Sequence, residues 1–290
     1  MRRKKPEMFD VINYILITLI SLVMLYPFLN VASVSMSSYH AYVNNPMMFW
    51  PKDFNLKAYY EIMKQTLLWR SYLNTIIVTV SGVSIGILLY ILTAYPLSKK
   101  ILKGRKVMML LIIFTMLFNG GLIPNYYLMR SLGLLDTLTA LVVPALFTGF
   151  NLILMKNFFE ALPEELEEAA RIDGASDPYI LFRIVIPLSK PIIATLCLFA
   201  AVGYWNNFFN GIVYIRSNFK WPLMLYLREV IAGASAMARE GNAAETGAEQ
   251  LTSETIKYAT LMLVMVPILC VYPFLQKYFV KGIMLGSVKG

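Results

Sequence analysis

The sequence predicts an all-α, polytopic membrane protein with six transmembrane helices. Of its 290 residues, 58% are hydrophobic and only 15% are charged, and the mean hydropathy is +0.61. Soluble domains carry about 25% charged residues. Six stretches are apolar over the roughly 20 residues that a helix needs to cross a bilayer. The net charge of +9 does not indicate nucleic-acid binding, because the basic residues flank the apolar stretches and form no stripe.

The six predicted spans follow one another along a single transmembrane domain, 11–290, after a short tail, 1–10. We place them at 11–34, 73–97, 107–128, 134–155, 185–214 and 258–280. The first span follows four consecutive basic residues, 2–5, a pattern that also opens cleavable signal peptides. Its apolar run is longer than the core of a signal peptide, and no small-residue cleavage site ends it. We therefore expect a retained span.

The distribution of Lys and Arg predicts the orientation of the chain. The basic residues are concentrated in 2–5, in 98–106, in 156–190 and after the sixth span. The alternate loops, among them 35–72 and 215–257, are longer and hold fewer basic residues for their length. Short cytoplasmic loops carry an excess of Lys and Arg. Both termini and the loops after the second and fourth spans are thus expected in the cytoplasm, and 215–257 outside.

The predicted spans contain almost no ionisable residues. Lys190 and Asp136 lie near span ends, whereas ion-coupled carriers usually keep ionisable groups at membrane depth. The single histidine, His40, has no catalytic partner in the sequence pattern, and no phosphate-cradling G-x-x-x-x-G-K-[ST] loop is present. Cys197 and Cys270 have the spacing of neither a zinc site nor a disulfide framework. We expect a non-catalytic chain with no metal or cofactor of its own.

The loop 160–183 is acidic although it lies on the side that basic residues mark. Pro163 suits the first position of a helix, with acidic residues against the positive end of the helix dipole. Gly174 suits a left-handed stop, and Ser176 or Asp177 suits the cap of a second short helix. One alternative is a solvated acidic loop. The other is a docking element for a partner protein.

The residues of this loop favour the docking element. Glu168-Ala169-Ala170, then Gly174, then Ile184-Val185-Ile186-Pro187 resembles the EAA signature of permease subunits in binding-protein-dependent ABC importers. Only Ile186, in place of Leu, departs from the family pattern. The flanks 173–175 and 187–191 and the tail 279–290 are similar to the carbohydrate-uptake branch, in particular to the G-type permease of maltose transporters.

The resemblance implies the type I ABC importer permease fold, with the loop forming coupling helices in a cleft of an ATPase subunit. The residues that it assigns to coupling are Glu168, Ala169, Ala170, Asp173, Gly174, Ala175 and Pro187. It further implies a bacterial cytoplasmic-membrane protein that works with a second permease, two ATPases binding ATP and Mg, and an extracellular solute-binding protein. The cargo would be an oligosaccharide. A peptide or lipid-linked solute, a channel or carrier outside the ABC class, and a non-transporting scaffold are the alternatives.

Two groups of residues combine aromatic rings with amides, which suit sugar rings and hydroxyls. One is Tyr204, Trp205, Asn206, Asn207 and Asn210 in the fifth span, and the other includes Asn125 and Tyr126 at the end of the third. Interhelical hydrogen bonds and an interfacial aromatic belt are the alternative roles. In the outer segment 231–257, few aromatic residues occur. This segment is expected to be either a mobile loop or a contact for the solute-binding protein.

Overall fold

The computed structural model describes residues 8–239 and 253–287, and every regular element in these two ranges is a helix. The predicted all-α class is therefore confirmed. Three segments lie outside the described residues: 1–7, with their basic cluster, 240–252, the middle of the predicted outer segment 231–257, and 288–290, the end of the tail 279–290. The flanks of the segment 231–257 belong to helices. The elements are α1 (Met8–Ser35), α2 (Tyr39–Asn44), α3 (Lys57–Met63), α4 (Thr66–Ser98), α5 (Arg105–Leu117), α6 (Leu122–Ser131), α7 (Thr139–Val142), α8 (Gly149–Glu160), α9 (Glu164–Ile172), α10 (Asp177–Ile180), α11 (Ile186–Leu188), α12 (Lys190–Trp205), α13 (Phe209–Tyr214), α14 (Leu223–Arg239) and α15 (Ser253–Ser287).

Three helices are long and apolar enough to cross a membrane unaided. They are α1, α4 and the part of α15 from Glu254 to Val271. The expected spans 11–34 and 73–97 lie inside α1 and α4. With its 33 residues, α4 is about 50 Å long at 1.5 Å per residue, which exceeds the hydrocarbon core of about 30 Å.

Three further pairs of helices pass the same length and composition test only if each bent pair counts as one span. The bends are 114° between α5 and α6, 54° between Thr139–Ala145 and α8, and 78° between Asp177–Leu188 and α12. The described part of the chain thus holds three to six spans.

The third hydrophobic stretch is not the continuous helix that we expected over 107–128. Helix α5 ends at Leu117, and α6 begins at Leu122 after a sharp turn. Asn119 accepts a hydrogen bond from the backbone N–H of Gly121 at 2.9 Å, and Gly121 has a φ of +86°. Because glycine adopts this conformation without steric cost, Asn-Gly-Gly ends the helix inside an apolar run.

The fifth stretch is also divided, contrary to the expected continuous span 185–214. Its first part, Asp177–Leu188, includes a π-helical turn, Leu181–Val185, and is followed by Ser189. Pro191 then occupies the first turn of α12, where it is tolerated because the first N–H groups of a helix have no intrahelical acceptor. A second break, 206–208, separates α12 from α13.

The fourth stretch, expected as a continuous span over 134–155, is broken between Ala145 and Gly149. Two tyrosines from neighbouring helices form hydrogen bonds with backbone groups near this break. The Tyr204 hydroxyl donates to the backbone carbonyl of Val142 at 3.1 Å, and the Tyr90 hydroxyl accepts from the backbone N–H of Thr148 at 2.9 Å. Backbone groups that a broken helix frees within a membrane need such partners. Tyr204 in turn lies against Gly82 of α4, where a Cβ would come within 2.4 Å of the ring.

The chain forms two compact units. Of the described residues, 8–68 with 227–239 and 253–267 form one unit, and 69–226 with 268–287 form the other. In the second unit the largest core cluster joins α4, α8, the π-helical turn and α12. Its members are Ile87, Tyr90, Ile91, Ala94, Tyr95, Leu97, Leu152, Met155, Phe159, Ile180, Leu181, Val185 and Leu196. This core supports the loop that the sequence singles out.

Candidate functional site

The acidic loop folds as the two short helices that the sequence predicts. Helix α9 covers nine residues, Glu164–Ile172, with three Glu residues in its first turn. Pro163 precedes the helix in an extended conformation instead of opening it, so its expected position is off by one residue. Ser176 then precedes α10, as expected, but its side chain makes no capping hydrogen bond.

The turn between the two helices is centred on Gly174. Its φ is +80°, in the left-handed region that the sequence predicts for this position. The N–H of Ala175 donates to the carbonyl of Ala170 at 2.9 Å and closes the turn. Arg171 and Asp177 form an ion pair across it at 2.6 Å. The angle between α9 and α10 is therefore fixed by backbone bonds and by one exposed ion pair.

Most of the residues that the resemblance assigns to coupling lie at the surface. Glu168, Ala169, Asp173, Gly174 and Pro187 are exposed. Ala170 and Ala175 are half-buried and pack against the core cluster. Leu166 lies three and four residues before Ala169 and Ala170, on the same side of the helix, and remains 44% exposed. Helix α9 thus presents an acidic and partly apolar surface that no described residue covers.

Basic residues from the end of α4 face the acidic helix, a pairing that our sequence analysis missed. Lys99 pairs with Glu167, and Lys100 pairs with Glu164 at 2.9 Å. Lys100 lowers the pKa of the Glu164 carboxylate through its hydrogen bond and its charge. The signal was present in the sequence, because 98–106 and 160–183 were both assigned to one side of the membrane.

An open cleft of about 580 Å³ separates α9 from the end of α4. Its lining is mostly charged. The residues are Ser98, Lys99, Lys100, Ile101, Phe159, Glu160, Leu162, Glu164, Glu167, Glu168 and Arg171. Such a cleft suits a contact with protein side chains of both charges better than an apolar small molecule.

Tyr204, one of the candidate pathway residues, is a packing residue in this structure. Only 4% of Tyr204 is exposed, and its ring and hydroxyl are held by Gly82 and Val142. A side chain in this position offers no surface to a sugar. Trp205 is half-buried, and its indole N–H is buried without an acceptor among the described residues.

The three asparagines that follow, Asn206, Asn207 and Asn210, do not lie on one continuous helix. Asn206 is exposed and donates to the carbonyl of Val202 at 3.0 Å. The side-chain oxygen of Asn207 accepts from the N–H of Asn210 at 3.2 Å, just before α13. Asparagine side chains compete for backbone hydrogen bonds and favour helix ends. The expected continuous fifth span is therefore wrong here as well, since the helix breaks between Asn206 and Asn210.

The second candidate group contacts α13 through one aromatic pair. Tyr126 of α6 stacks on Tyr214 of α13, with ring centroids 6.5 Å apart and an interplanar angle of 15°. Asn125 is exposed and lies 3.5 Å from the side-chain oxygen of Asn119. The structure thus packs α6 against α13 but uses Tyr126 in that packing.

Asp136 anchors the segment that follows α13. The Asp136 carboxylate accepts hydrogen bonds from the backbone N–H groups of Ser217 and Arg216 and pairs with Lys220 at 3.0 Å. The Ser217 bond and the Lys220 ammonium lower the pKa of Asp136. A few residues farther on, Asn74 of α4 donates to the carbonyl of Phe219 at 2.8 Å. The segment is therefore fixed from two sides.

Residues 68–285 match the model of a protein family described as the binding-protein-dependent transport system inner membrane component. The chain belongs to this family. The resemblance inferred from the EAA-like loop is confirmed, and so is the assignment to ABC importer permeases. The family is a transporter component, which agrees with a non-catalytic role.

Full-length relatives of this permease serve carbohydrate transport. It is 42% identical over 287 residues to the polygalacturonan/rhamnogalacturonan transport system permease protein YtcP of Bacillus subtilis (strain 168), covering 99% of this chain and 100% of that protein. It is 28% identical to the arabinooligosaccharides transport system permease protein AraQ of Halalkalibacterium halodurans, with 100% of each chain covered. Among solved structures, a bacterial ABC transporter involved in the import of the acidic polysaccharide alginate superposes with a TM-score of 0.84 at 36% identity, covering 96% of this chain and 99% of that chain. The predicted importer permease fold is therefore confirmed.

Proposed function

We propose that this permease forms, with a second homologous permease, the membrane pathway of an ABC importer for uronate-containing oligosaccharides. An extracellular solute-binding protein delivers the sugar, and two ATPase subunits that bind ATP and Mg drive the transport. Both termini and the α9–α10 loop lie in the cytoplasm. The basic segment 98–106 supports this orientation. It is predicted to be cytoplasmic, and its residues 98–101 line the same cleft as α9.

The choice of an acidic sugar rests on the relatives. Polygalacturonan is a polymer of a uronic acid, and alginate is an acidic polysaccharide; the permeases named for their transport are 42% and 36% identical to this chain over almost its full length. On the side that we propose as outer, Arg216 is exposed. Lys220 is less available, since it pairs with Asp136.

The observation that carries the coupling role is the uncovered surface of α9. Glu168 is exposed next to the charged cleft, and Ile172 is 86% exposed at the end of the helix. Single exposed apolar side chains are common on protein surfaces, so the coupling role is supported mainly by Glu168 and by the charged cleft beside it. Glu168 would pair with a basic residue of the ATPase, while Ala169 and Gly174 allow close approach.

The sugar pathway is proposed for the residues around the break after α12. Trp205 supplies an indole N–H that lacks an acceptor among the described residues, and Asn206 supplies an exposed amide. A buried donor without a partner costs about 1–3 kcal/mol, which an incoming hydroxyl or carboxylate would recover. Asn207, Asn210, Asn125 and Tyr126 stay candidates for the rim, whereas Tyr204 does not.

The transport proposal is tested with the complete complex in proteoliposomes. Uptake of labelled oligogalacturonate should require internal ATP, the loaded binding protein and a hydrolysis-competent ATPase. A neutral maltooligosaccharide of equal length serves as the control substrate. Equal uptake of the two sugars would refute the acidic specificity, and uptake with an inactive ATPase would refute the ABC mechanism.

The coupling role is tested by Glu168→Lys in the same complex. Insertion should be normal, but ATPase association should weaken and substrate-stimulated hydrolysis should disappear. Loss of a buried interfacial charge pair costs on the order of 2–5 kcal/mol. The control is the same charge change at Glu61 of α3, which lies on the opposite predicted side. Normal stimulation in Glu168→Lys would show that the loop has another role.

A further inference from the structure

The position of α9 depends on very little apolar packing. The helix has nine residues, and none of its side chains is buried. Helices shorter than about 12–15 residues are marginal in water when isolated. Ala170 alone among its residues packs against the core cluster of the second unit. Other contacts must therefore fix the helix against the membrane-spanning part.

The Lys99–Glu167 pair supplies the least exposed of these contacts. The two side chains are 25% and 12% exposed, against 80% and 69% for Lys100 and Glu164. The Lys99 ammonium also lies 4.6 Å from the ring centroid of Tyr95, and the Tyr95 hydroxyl lies 3.5 Å from a Glu167 carboxylate oxygen. Partly buried charge pairs are screened less by salt and lose less to side-chain entropy than exposed ones.

The same helix that carries Tyr95 is fixed at its other end. Asn74 of α4 donates to the carbonyls of Phe219 and Trp221, and the Thr75 hydroxyl accepts from the N–H of Leu223 at 2.7 Å. Asn74 and Ser98, the last residue of α4, are 24 residues apart, about 36 Å along a helix. Lys99 directly follows α4, which contains Pro96 in its last turn, so this one helix connects the acidic helix with the segment 219–223 over a distance comparable to the thickness of a membrane.

We propose that Glu167 is a positioning residue, and that its pairing with Lys99 and Tyr95 makes α4 the element that transmits movement of α9 across the membrane. The inference rests on the proposed coupling function of α9. Two adjacent residues then have different roles: Glu168 contacts the ATPase, and Glu167 holds α9 against the end of α4. Displacement of α9 by the ATPase pulls on the end of α4 through the Lys99–Glu167 pair and reaches the segment 219–223 at the other end.

The test uses Glu167→Gln in the assembled complex, because glutamine keeps the size and removes the charge. The ratio of hydrolysis with loaded binding protein to basal hydrolysis should fall about tenfold, which corresponds to the loss of one charge-assisted hydrogen-bonded pair. ATPase association should stay normal, which separates this variant from Glu168→Lys. Glu164→Gln, which breaks the exposed pair of the same helix, should change the ratio less than about twofold.

Charge exchange and amide exchange complete the experiment. The double variant Lys99→Glu with Glu167→Lys should recover most of the lost stimulation, which a general folding defect would not do. Hydrogen exchange of the amides 164–172 should accelerate in Glu167→Gln and slow again in the double variant, while 149–160 stays unchanged. The proposal is wrong if the Glu167→Gln complex keeps the parent ratio of stimulated to basal hydrolysis. It is also wrong if the α9 amides of Glu167→Gln exchange at the parent rate. If the parent complex itself shows no stimulation, the proposed function fails, and the amide exchange still decides whether the pair holds α9.

Discussion

Gly82→Ala should destabilise this permease although alanine is the better helix former. In an unhindered helix the change stabilises by about 0.5–1 kcal/mol. At Gly82 the new Cβ would lie 2.4 Å from two ring carbons of Tyr204. The ring cannot move away easily, because Tyr204 is 4% exposed and its hydroxyl is bonded to Val142. Overpacking costs about 1–3 kcal/mol, so we expect a net loss of about 1–2 kcal/mol.

The assay is reversible unfolding of the detergent-solubilised permease, followed by tryptophan fluorescence. The matched control is Gly203→Ala in α12, where nothing lies within 4 Å of the added Cβ. Gly203→Ala should be as stable as the parent or slightly more stable. If Gly82→Ala and Gly203→Ala have the same free energy of unfolding, the close contact between α4 and Tyr204 does not exist in solution. The description of the broken fourth stretch is then wrong.

Three further predictions concern single polar or backbone features. Tyr90→Phe removes the acceptor of the Thr148 N–H at 2.9 Å and should cost about 1–3 kcal/mol in the same unfolding assay. Gly174→Ala forces a Cβ into a φ of +80°, should cost about 1–2 kcal/mol and should accelerate amide exchange around the turn. Asp136→Asn should make amide exchange in 215–222 insensitive to acid. The pKa of Asp136 is lowered below 3.8 by the Ser217 N–H and by Lys220, so the stabilisation is full above pH 3.8 and disappears as the pH falls through the lowered pKa.

Each of these has its own contrast. Tyr90→Phe should leave amide exchange at Gly174 unchanged, and an unaltered unfolding midpoint would contradict the hydrogen bond. Gly174→Asn should be milder than Gly174→Ala, since asparagine tolerates the left-handed region; equal effects would argue against backbone strain. Parent-like acid sensitivity in Asp136→Asn would mean that another carboxylate fixes the segment.

The class of the fold and the two short helices of the EAA-like loop could be predicted because they depend on local information. The length of their apolar runs identifies α1 and α4 directly, and the glycine at position 174 by itself predicts a left-handed turn. The EAA-like loop is a contiguous pattern, so one sequence suffices to find it. These features need no knowledge of what packs against them.

The breaks in the third, fourth and fifth stretches could not be placed in the same way. Hydropathy averages over about 20 residues and passes over a turn such as Asn119-Gly121 that is itself flanked by apolar residues. Whether an apolar stretch bends depends on partners distant in sequence, as with Tyr90 at Thr148. Tyr204 has the same property: its aromatic and polar character suits packing as well as sugar binding, and only its contacts with Gly82 and Val142 distinguish the two.

The Lys99–Glu167 pair shows a different limit. The two charges were visible, and both segments were assigned to one side of the membrane, but nothing local to 98–106 or 160–183 specifies which acid meets which base. Lys99 also reaches the Tyr95 ring. Only the packing of α4 against α8 and the π-helical turn brings these groups together.

The two tyrosines at the broken fourth stretch impose an order on biosynthesis. Tyr90 is translated before Thr148, so the N–H of Thr148 has its acceptor as soon as it enters the membrane. The carbonyl of Val142 must wait for Tyr204, which follows it by 62 residues. Until that residue leaves the ribosome, the carbonyl needs water or the insertion machinery as a temporary partner. The carbonyl of Val142 therefore reaches its final hydrogen bond only after the fifth stretch has been made.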